Sequence, residues 1–260
     1  MIVLIVLVSI VAACLTLFSG FGLGTILLPV FSIFFPLEIA VAMTAIVHFL
    51  NNIYKISLFY RNIKWGIILR FGITAVIASF LGANLLTLLS KGSPIYTYTV
   101  AGHVFNVTII KVVIGSLIVM FSLFDLLPYL ENEIQFKPKY LPFGGLLSGF
   151  FGGLSGHQGA LRSAFLIKSG LDKKEFIATG VFIAILIDVS RLSVYISSVN
   201  QSHIGLSGID YKIILLSCFA AFLGTFIGNK LVAKVTISFL QKVVGVMLIV
   251  IGVLLGVGLL

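Results

Sequence analysis

The sequence predicts an all-α polytopic membrane protein made of two inverted repeats, each a broken re-entrant hairpin followed by three transmembrane helices. Composition, the order of the apolar runs and the placement of basic residues point to it. Of 260 residues, 60% are apolar and 10% are charged. A soluble domain carries about 25% charged residues to cover its surface. Lipid removes that requirement. The apolar runs are long and unalternated, which fits helices that satisfy their own backbone polar groups. A membrane barrel would alternate polar and apolar residues over stretches of about ten, and no such stretch stands out.

The runs follow one another in a repeating order. Met1–Phe18 meets Ser19-Gly20-Phe21-Gly22-Leu23-Gly24, then a short run, Thr25–Phe35, closed by Pro36. Leu37–Tyr60, Gly66–Ser90 and Val107–Leu127 are each long enough to cross, since about 20 residues span the hydrocarbon. A polar linker follows. Gly144–Gly153 then meets Leu154-Ser155-Gly156-His157-Gln158-Gly159, and Ala160–Ile167 follows. Glu175–Ile196, Ile213–Val232 and Val243–Leu260 complete the chain. The expected division is a first transmembrane unit over 1–128, a cytoplasmic linker over 129–142 and a second unit over 143–260.

The halves align. An offset of 135 places Gly24 on Gly159 and Thr44 on Thr179. Further on, Ser79-Phe80-Leu81-Gly82-Ala83-Asn84-Leu85 answers Thr225-Phe226-Ile227-Gly228-Asn229-Lys230-Leu231, and Lys111-Val112-Val113 answers Lys242-Val243-Val244. Agreement in order marks an internal repeat. Thr25–Phe35 and Ala160–Ile167 are too short to cross at 1.5 Å per residue. Each first element therefore reads as a re-entrant hairpin with a glycine-rich tip inside the membrane. Three crossings per half are odd, so the second half enters from the opposite face, a plan common among secondary transporters.

On this plan Arg61, Lys64, Lys137, Lys139, Lys168, Lys173, Lys174, Lys230 and Lys234 share one face, while Lys91 and Lys212 lie at the other. The positive-inside rule assigns the first face to the cytoplasm and both termini to the outside. The net charge of +9 thus reflects topology. There is no basic stripe interleaved with aromatics, so no nucleic acid partner is expected. Cys14 and Cys218 both lie in apolar runs, and neither a disulfide framework nor a metal site is expected. Val11-Ala12-Ala13-Cys14 looks like a lipoprotein processing box, but Met1–Ile10 lacks the basic residues of a signal.

Gly20-x-Gly22-x-Gly24 resembles part of a dinucleotide fingerprint, which requires a soluble strand before it and a helix after. Its lipid-phase flanks favour a helix break. Gly145, Gly149 and Gly153, and Gly224 and Gly228, recur at the four-residue spacing that lets membrane helices approach closely.

The chemical signal is concentrated in the second tip. Arg162 sits inside an apolar region, where a charge costs about 2.5–3.5 kcal/mol at mid-bilayer and needs a partner or an aqueous cavity. Its planar fork suits a carboxylate, sulfonate or phosphate, and the short helix beginning at Gly159 aims its N-terminus at the tip. The plainer reading is an ion pair between Arg162 and Asp188. Asp188 and Arg191, three apart on one span, form either a gating element or an ion pair along the helix. His48, Asn51, Asn52 and Lys55 share a polar face, with interhelical hydrogen bonding as the plainer role and snorkelling for Lys55. The expected binding set is Arg162, Gln158, His157, Gly159, Gly22, Gly24, Asn51 and Asn52.

At these residues the chain resembles the TauE/SafE sulfite exporter family, also called the toluene sulfonate uptake permease family. The likeness is carried by Ser19-Gly20-Phe21-Gly22-Leu23-Gly24 with Pro29, and by Gly152-Gly153-Leu154-Ser155-Gly156-His157-Gln158-Gly159-Ala160-Leu161-Arg162. Ala40-Val41-Ala42-Met43-Thr44 and Ala178-Thr179-Gly180 follow the two tips. Neither tip has the three consecutive glycines usual in the family. The resemblance implies a secondary transporter for sulfite, sulfonates or related sulfur-containing or carboxylated anions, in the cytoplasmic (inner) membrane of a prokaryote. It implies no enzyme and no cofactor. A coupling proton or sodium ion and a homodimer are compatible partners. The alternatives are an anion channel and, through Gly153-Leu154-Ser155-Gly156, an intramembrane serine protease using Ser155.

The topology is testable in a background lacking Cys14 and Cys218. An impermeant thiol reagent added to intact cells is expected to label Ser93→Cys and to spare Asp172→Cys and Gln135→Cys. Strong labelling at position 135 would overturn the orientation.

Overall fold

The computed structural model describes residues 1–19, 22–126, 136–201, 210–231 and 237–260. The first apolar run is α1 (Ile2–Ser19), and α2 (Leu23–Ser32) follows the break. Gly22 caps α2 at φ 110°, a conformation that L side chains avoid, and a Cβ there would stand 2.8 Å from Thr16 Cγ2. Pro36 precedes α3 (Leu37–Phe59), whose first turn carries Glu38 where a helix N-terminus favours negative charge. A 3₁₀ turn, Tyr60–Asn62, leads to a rod composed of α4 (Trp65–Ile67), a π-helical turn (Ile68–Gly72) and α5 (Ile73–Ser90).

An antiparallel hairpin, β1 (Tyr96–Val100) and β2 (His103–Val107), then interrupts the helices. Ala101 and Gly102, at φ 51° and 80°, make the tight turn whose twist suits a two-residue hairpin. The apolar runs predict no element between Ser90 and Val107; the alternation of Tyr96, Thr97, Tyr98, Thr99 and Val100 is the signal for the strand. Tyr98 Oη donates to the Val257 carbonyl at 2.7 Å, tying the hairpin to the C-terminal end of the chain.

The remaining elements are α6 (Ile109–Leu126), a 3₁₀ turn (Pro138–Tyr140), α7 (Leu141–Ser155), α8 (Gly159–Leu166), α9 (Lys173–Gln201), α10 (Tyr211–Leu231) and α11 (Ile237–Gly256). The helix α7 begins inside the segment expected as linker, because Pro142 falls in its first turn, where no backbone N–H is needed. Of the expected linker, 129–135 lies outside the described residues, as does Gly20 of the first tip and Lys234. Among the described residues, four helices are long and apolar enough to cross a membrane: Leu37–Asn62, Trp65–Ser90, Lys173–Ser198 and Tyr211–Lys230.

Packing is pairwise: α5 lies on α7 and α1 on α10, while α3 meets α9 and α6 meets α11. Small residues set the distances. A Cβ at Gly145, Gly149 or Gly153 would collide with the Phe71, Ala75 or Ser79 carbonyl, so α7 runs parallel to α5. Gly224 and Gly228 meet the Ile10 and Cys14 carbonyls in the same way, so α10 runs parallel to α1. In contrast, Gly115 faces Gly252 while Gly245 faces Leu126, and α6 and α11 are antiparallel. So are α3 and α9, where His48 meets Asp188 and Lys64, just beyond the end of α3, meets Thr179. The first arm of each hairpin packs on the short helix that follows it, α1 on α2 and α7 on α8.

The exterior is apolar. Leu69, Ile73, Ile77, Phe80, Leu81 and Leu88 of the α4–α5 rod are exposed, as are Leu215, Phe219 and Phe226 of α10. The described basic loop residues Arg61, Lys64, Lys137, Lys139 and Lys168 gather at one end of the bundle. Lys91, Lys111 and Lys212 lie at the other, where Lys111 Nζ donates to the Asn106 carbonyl at 3.2 Å.

The backbone approach is testable. Gly149→Ala places a methyl group against the Ala75 backbone and is expected to cost about 1–3 kcal/mol. Gly66→Ala enters open space and is expected to be neutral or slightly stabilising. Thermal unfolding in detergent compares them, and equal melting would contradict the close contact.

Candidate functional site

The two hairpin tips meet on the polar face of α3. A Cβ built on Gly24 would lie 3.7 Å from the Gly156 carbonyl oxygen, 3.7 Å from His48 Cδ2 and 3.8 Å from Thr44 Cγ2. Gly156 ends α7 at φ 81°. It also leaves room for Arg191, whose Nη1 would stand 2.9 Å from a Cβ there. Residues 156–158 are thus the unwound bridge between α7 and α8, and Gly159 opens the short helix that carries Arg162.

Asp188, fully buried, is the centre of the polar network. Its Oδ1 accepts from Arg191 Nε at 2.9 Å and from Gln158 Nε2 at 3.2 Å. Arg191 Nη2 also approaches Oδ1 to 2.7 Å, an ion-pair contact not aligned as a hydrogen bond. Oδ2 accepts from His48 Nδ1 at 2.7 Å and from Asn52 Nδ2 at 3.4 Å. His48 Nδ1 therefore carries its proton toward the carboxylate, and Nε2 faces Asn52 Nδ2 at 3.4 Å. Arg191 Nη1 reaches the Gly152 carbonyl at 3.4 Å, and the Tyr195 hydroxyl donates to the Gly153 carbonyl. One carboxylate thus joins α3, α9 and the bridge of the second hairpin.

Arg162 is 2% exposed. Its Nη1 donates to Gln158 Oε1 at 3.5 Å, and Nε would lie 3.4 Å from a Cβ on Gly180. Both ends of the Gln158 amide are engaged, and its backbone carbonyl accepts from Ser148 Oγ at 2.8 Å. His157 stacks on Phe121 with ring centroids 5.6 Å apart. Its Nδ1 donates to the Ser155 carbonyl at 3.1 Å, while Nε2 is buried without a hydrogen-bond partner. Asn51 Oδ1 accepts from Thr225 Oγ1 at 2.9 Å, and its Nδ2 is likewise unpartnered. Gly22 stands against Thr16 at the first tip.

Three participants were not assigned to the site from sequence. Thr44, noted only as a repeat match, has a buried, unpartnered hydroxyl beside Gly24. Tyr195 holds the α7 backbone. Lys55, read as a snorkelling residue, is 4% exposed. Its spacing from His48 on one face of α3 was the available signal.

Ser155 and His157 approach each other, with Nδ1 3.2 Å from Oγ. The imidazole proton is directed at the Ser155 carbonyl and the serine hydroxyl donates to Phe151 O at 3.0 Å, so this Nδ1 is not placed as a base for Oγ. No cluster of three or more metal-ligating side chains occurs among the described residues.

The sequence model of the family described as Sulfite exporter TauE/SafE matches residues 5–255. No curated protein and no solved structure matches the chain.

Asp188→Asn leaves the buried Arg191 guanidinium without its counter-charge. Its expected cost is about 3–5 kcal/mol, read as a lowered melting temperature in detergent. The double variant Asp188→Asn with Arg191→Met should recover part of the loss. Additive losses would place the coupling elsewhere.

Proposed function

The chain belongs to the TauE/SafE sulfite exporter family, a family of multi-pass membrane transporters, and on that premise we propose that it is a secondary transporter for small sulfur-containing or carboxylated anions, bound where its two hairpin tips meet. The carrying observation is the position of Arg162: buried, in the first turn of α8, beside the unwound bridge at Gly156–Gln158. A helix N-terminus and a guanidinium fork both favour an oxyanion. The unpartnered Thr44 Oγ1 and His157 Nε2 support the reading, because buried polar atoms of this kind need a partner that a bound ligand supplies. A neutral His157 whose Nδ1 holds the proton presents Nε2 as an acceptor, which suits a protonated anion or a water.

The halves act in this reading as inverted repeats, with 1–128 and 143–260 as the units. The antiparallel pairing of α3 with α9 and of α6 with α11 supports it. The basic end faces the cytoplasm of a prokaryotic cell. That end is closed by Lys64, whose Nζ is 2.5 Å from Glu175 Oε1 and whose backbone N–H donates to Thr179 Oγ1 at 3.0 Å, and by Trp65 packed edge-on to Phe182. At the other end a cavity of about 230 Å³, lined by Ser32, Glu38, Ser90, Thr108 and Lys111 among others, forms an outer vestibule. The hydrogen bond to Glu175 raises the Lys64 pKa above the ordinary lysine value. The contact is therefore complete below the ordinary value and is lost only as pH rises through the raised one. This gate is accordingly insensitive to pH around neutrality.

Uptake of labelled sulfite and sulfonates into proteoliposomes, with counterflow as the sign of a carrier, tests the proposal. Arg162→Gln should abolish flux, and Arg162→Lys should restore it only in part, because an ammonium lacks the bidentate fork. The lost charge-assisted contact corresponds to a reduction of about tenfold or more in affinity. Wild-type binding by a well-folded Arg162→Gln protein would overturn the site.

A further inference from the structure

The cavity of about 230 Å³ at the end of the bundle opposite Lys64 sits where three helix ends meet. Glu38 lines it from the first turn of α3, Ser90 from the last turn of α5 and Lys111 from the first turn of α6. Apolar side chains, Phe35, Ile110 and Leu255 among them, complete the wall. Ile33 and Ile109, the chain neighbours of the lining residues Ser32 and Ile110, are exposed on the apolar exterior. The cavity therefore borders lipid, at the level where helices leave the hydrocarbon.

Two opposite charges line this cavity and do not pair. Among the described residues the Glu38 carboxylate has no hydrogen bond or ion pair, with Lys111 or any other group. Lys111 Nζ spends one of its donors on the Asn106 carbonyl at 3.2 Å and keeps the others. Lys111 also stands at the end of α6 where the helix dipole opposes a cation. An anion placed there would be favoured twice, by the ammonium and by the helix N-terminus. A cation beside Glu38 would supply the partner that carboxylate lacks. A carboxylate and an ammonium held apart in one cavity match a ligand that carries both complementary charges.

We propose that this cavity holds the headgroup of a zwitterionic phospholipid with a primary amine, of the phosphatidylethanolamine kind. The lipid ammonium donates to the Glu38 carboxylate, and the phosphate accepts from Lys111 Nζ and lies at the N-terminus of α6. The apolar wall takes the first carbons of the acyl chains. A trimethylammonium headgroup has no N–H to donate to Glu38. An anionic headgroup without an amine sets a second negative charge beside it. The bound headgroup bridges α3 and α6. This goes beyond the anion carried at the hairpin tips: it gives the vestibule a resident of its own and does not involve Arg162.

Melting of the purified, delipidated full chain in detergent tests this, titrated with dihexanoyl phosphatidylethanolamine, phosphatidylcholine or phosphatidylglycerol. The ethanolamine lipid should raise the melting temperature saturably and at lower concentration than the other two. Glu38→Gln should weaken its apparent affinity about tenfold or more and leave the response to phosphatidylglycerol unchanged. Lys111→Met should weaken both, and Lys111→Arg should keep both. Glu38 and Lys111 are half-buried at the end of the bundle, so each variant should fold, and each is read against its own lipid-free melting. An equal response to the three lipids, or an ethanolamine response untouched by Glu38→Gln, would overturn the site. Free phosphoethanolamine should give no shift; a shift equal to that of the lipid would assign the cavity to a soluble zwitterion and overturn the lipid. The response should survive in Arg162→Gln. Its loss in a well-folded Arg162→Gln protein would move the effect to the hairpin tips and overturn this cavity, whereas loss of anion flux alone leaves it standing.

Discussion

A carboxylate in the middle of an apolar bundle has to be saturated, and the saturation of Asp188 governs the geometry around it. Removing such a charge from water costs several kcal/mol unless ion pairs and hydrogen bonds replace the lost hydration. Asp188 draws these from three places: His48 and Asn52 on α3, Arg191 on its own helix, and Gln158 on the bridge of the second hairpin. The bridge must be unwound for Gln158 to reach, and Gly156 must lack a side chain for Arg191 to fit. Arg191 in turn satisfies the Gly152 carbonyl near the end of α7. A helix break that would be costly in lipid is thereby supported from inside the protein.

The second constraint is how closely the backbones approach. Lipid tails are as apolar as leucine, so membrane helices gain little from burying apolar surface against each other and rely on packing. Gly145, Gly149 and Gly153 let α7 lie directly on α5, and Gly224 and Gly228 do the same for α10 on α1. The first arm of each hairpin is therefore clamped to a long helix, and its tip is held at a defined depth. In the proposed cycle these clamped pairs are the rigid parts. The contacts free to change are those at the ends: the Lys64–Glu175 pair and the packing of Trp65 on Phe182 at one, the Glu38–Lys111 vestibule at the other.

Much of this was legible in the sequence, for local reasons. Low charge and unalternated runs define a helical membrane protein. Gly22 and Gly156, with the short runs after them, mark the breaks, and Pro36 marks the entry to α3. Arg162 and Asp188 announce themselves because ionisable groups are rare in such runs. The β-hairpin was overlooked because a single turn of alternation, Tyr96–Val100 against His103–Val107, is a weak signal beside long apolar runs.

What the sequence by itself determined is thus the inventory: which segments are helical, where they break, and which polar residues lie at depth. Only the tertiary structure decided the pairings. Arg162 and Arg191 were both candidates for Asp188, and the rotation of α9 against the second hairpin places Arg191 and His48 on the carboxylate. The same holds for Lys55, which reads as a snorkelling residue until the rotation of α3 turns it inward, where it is 4% exposed. The reason is physical. In water, hydropathy separates the inside of a protein from the outside; in lipid both are apolar, so the pattern along a helix does not say which face meets its neighbours. That is settled by contacts between segments far apart in the chain.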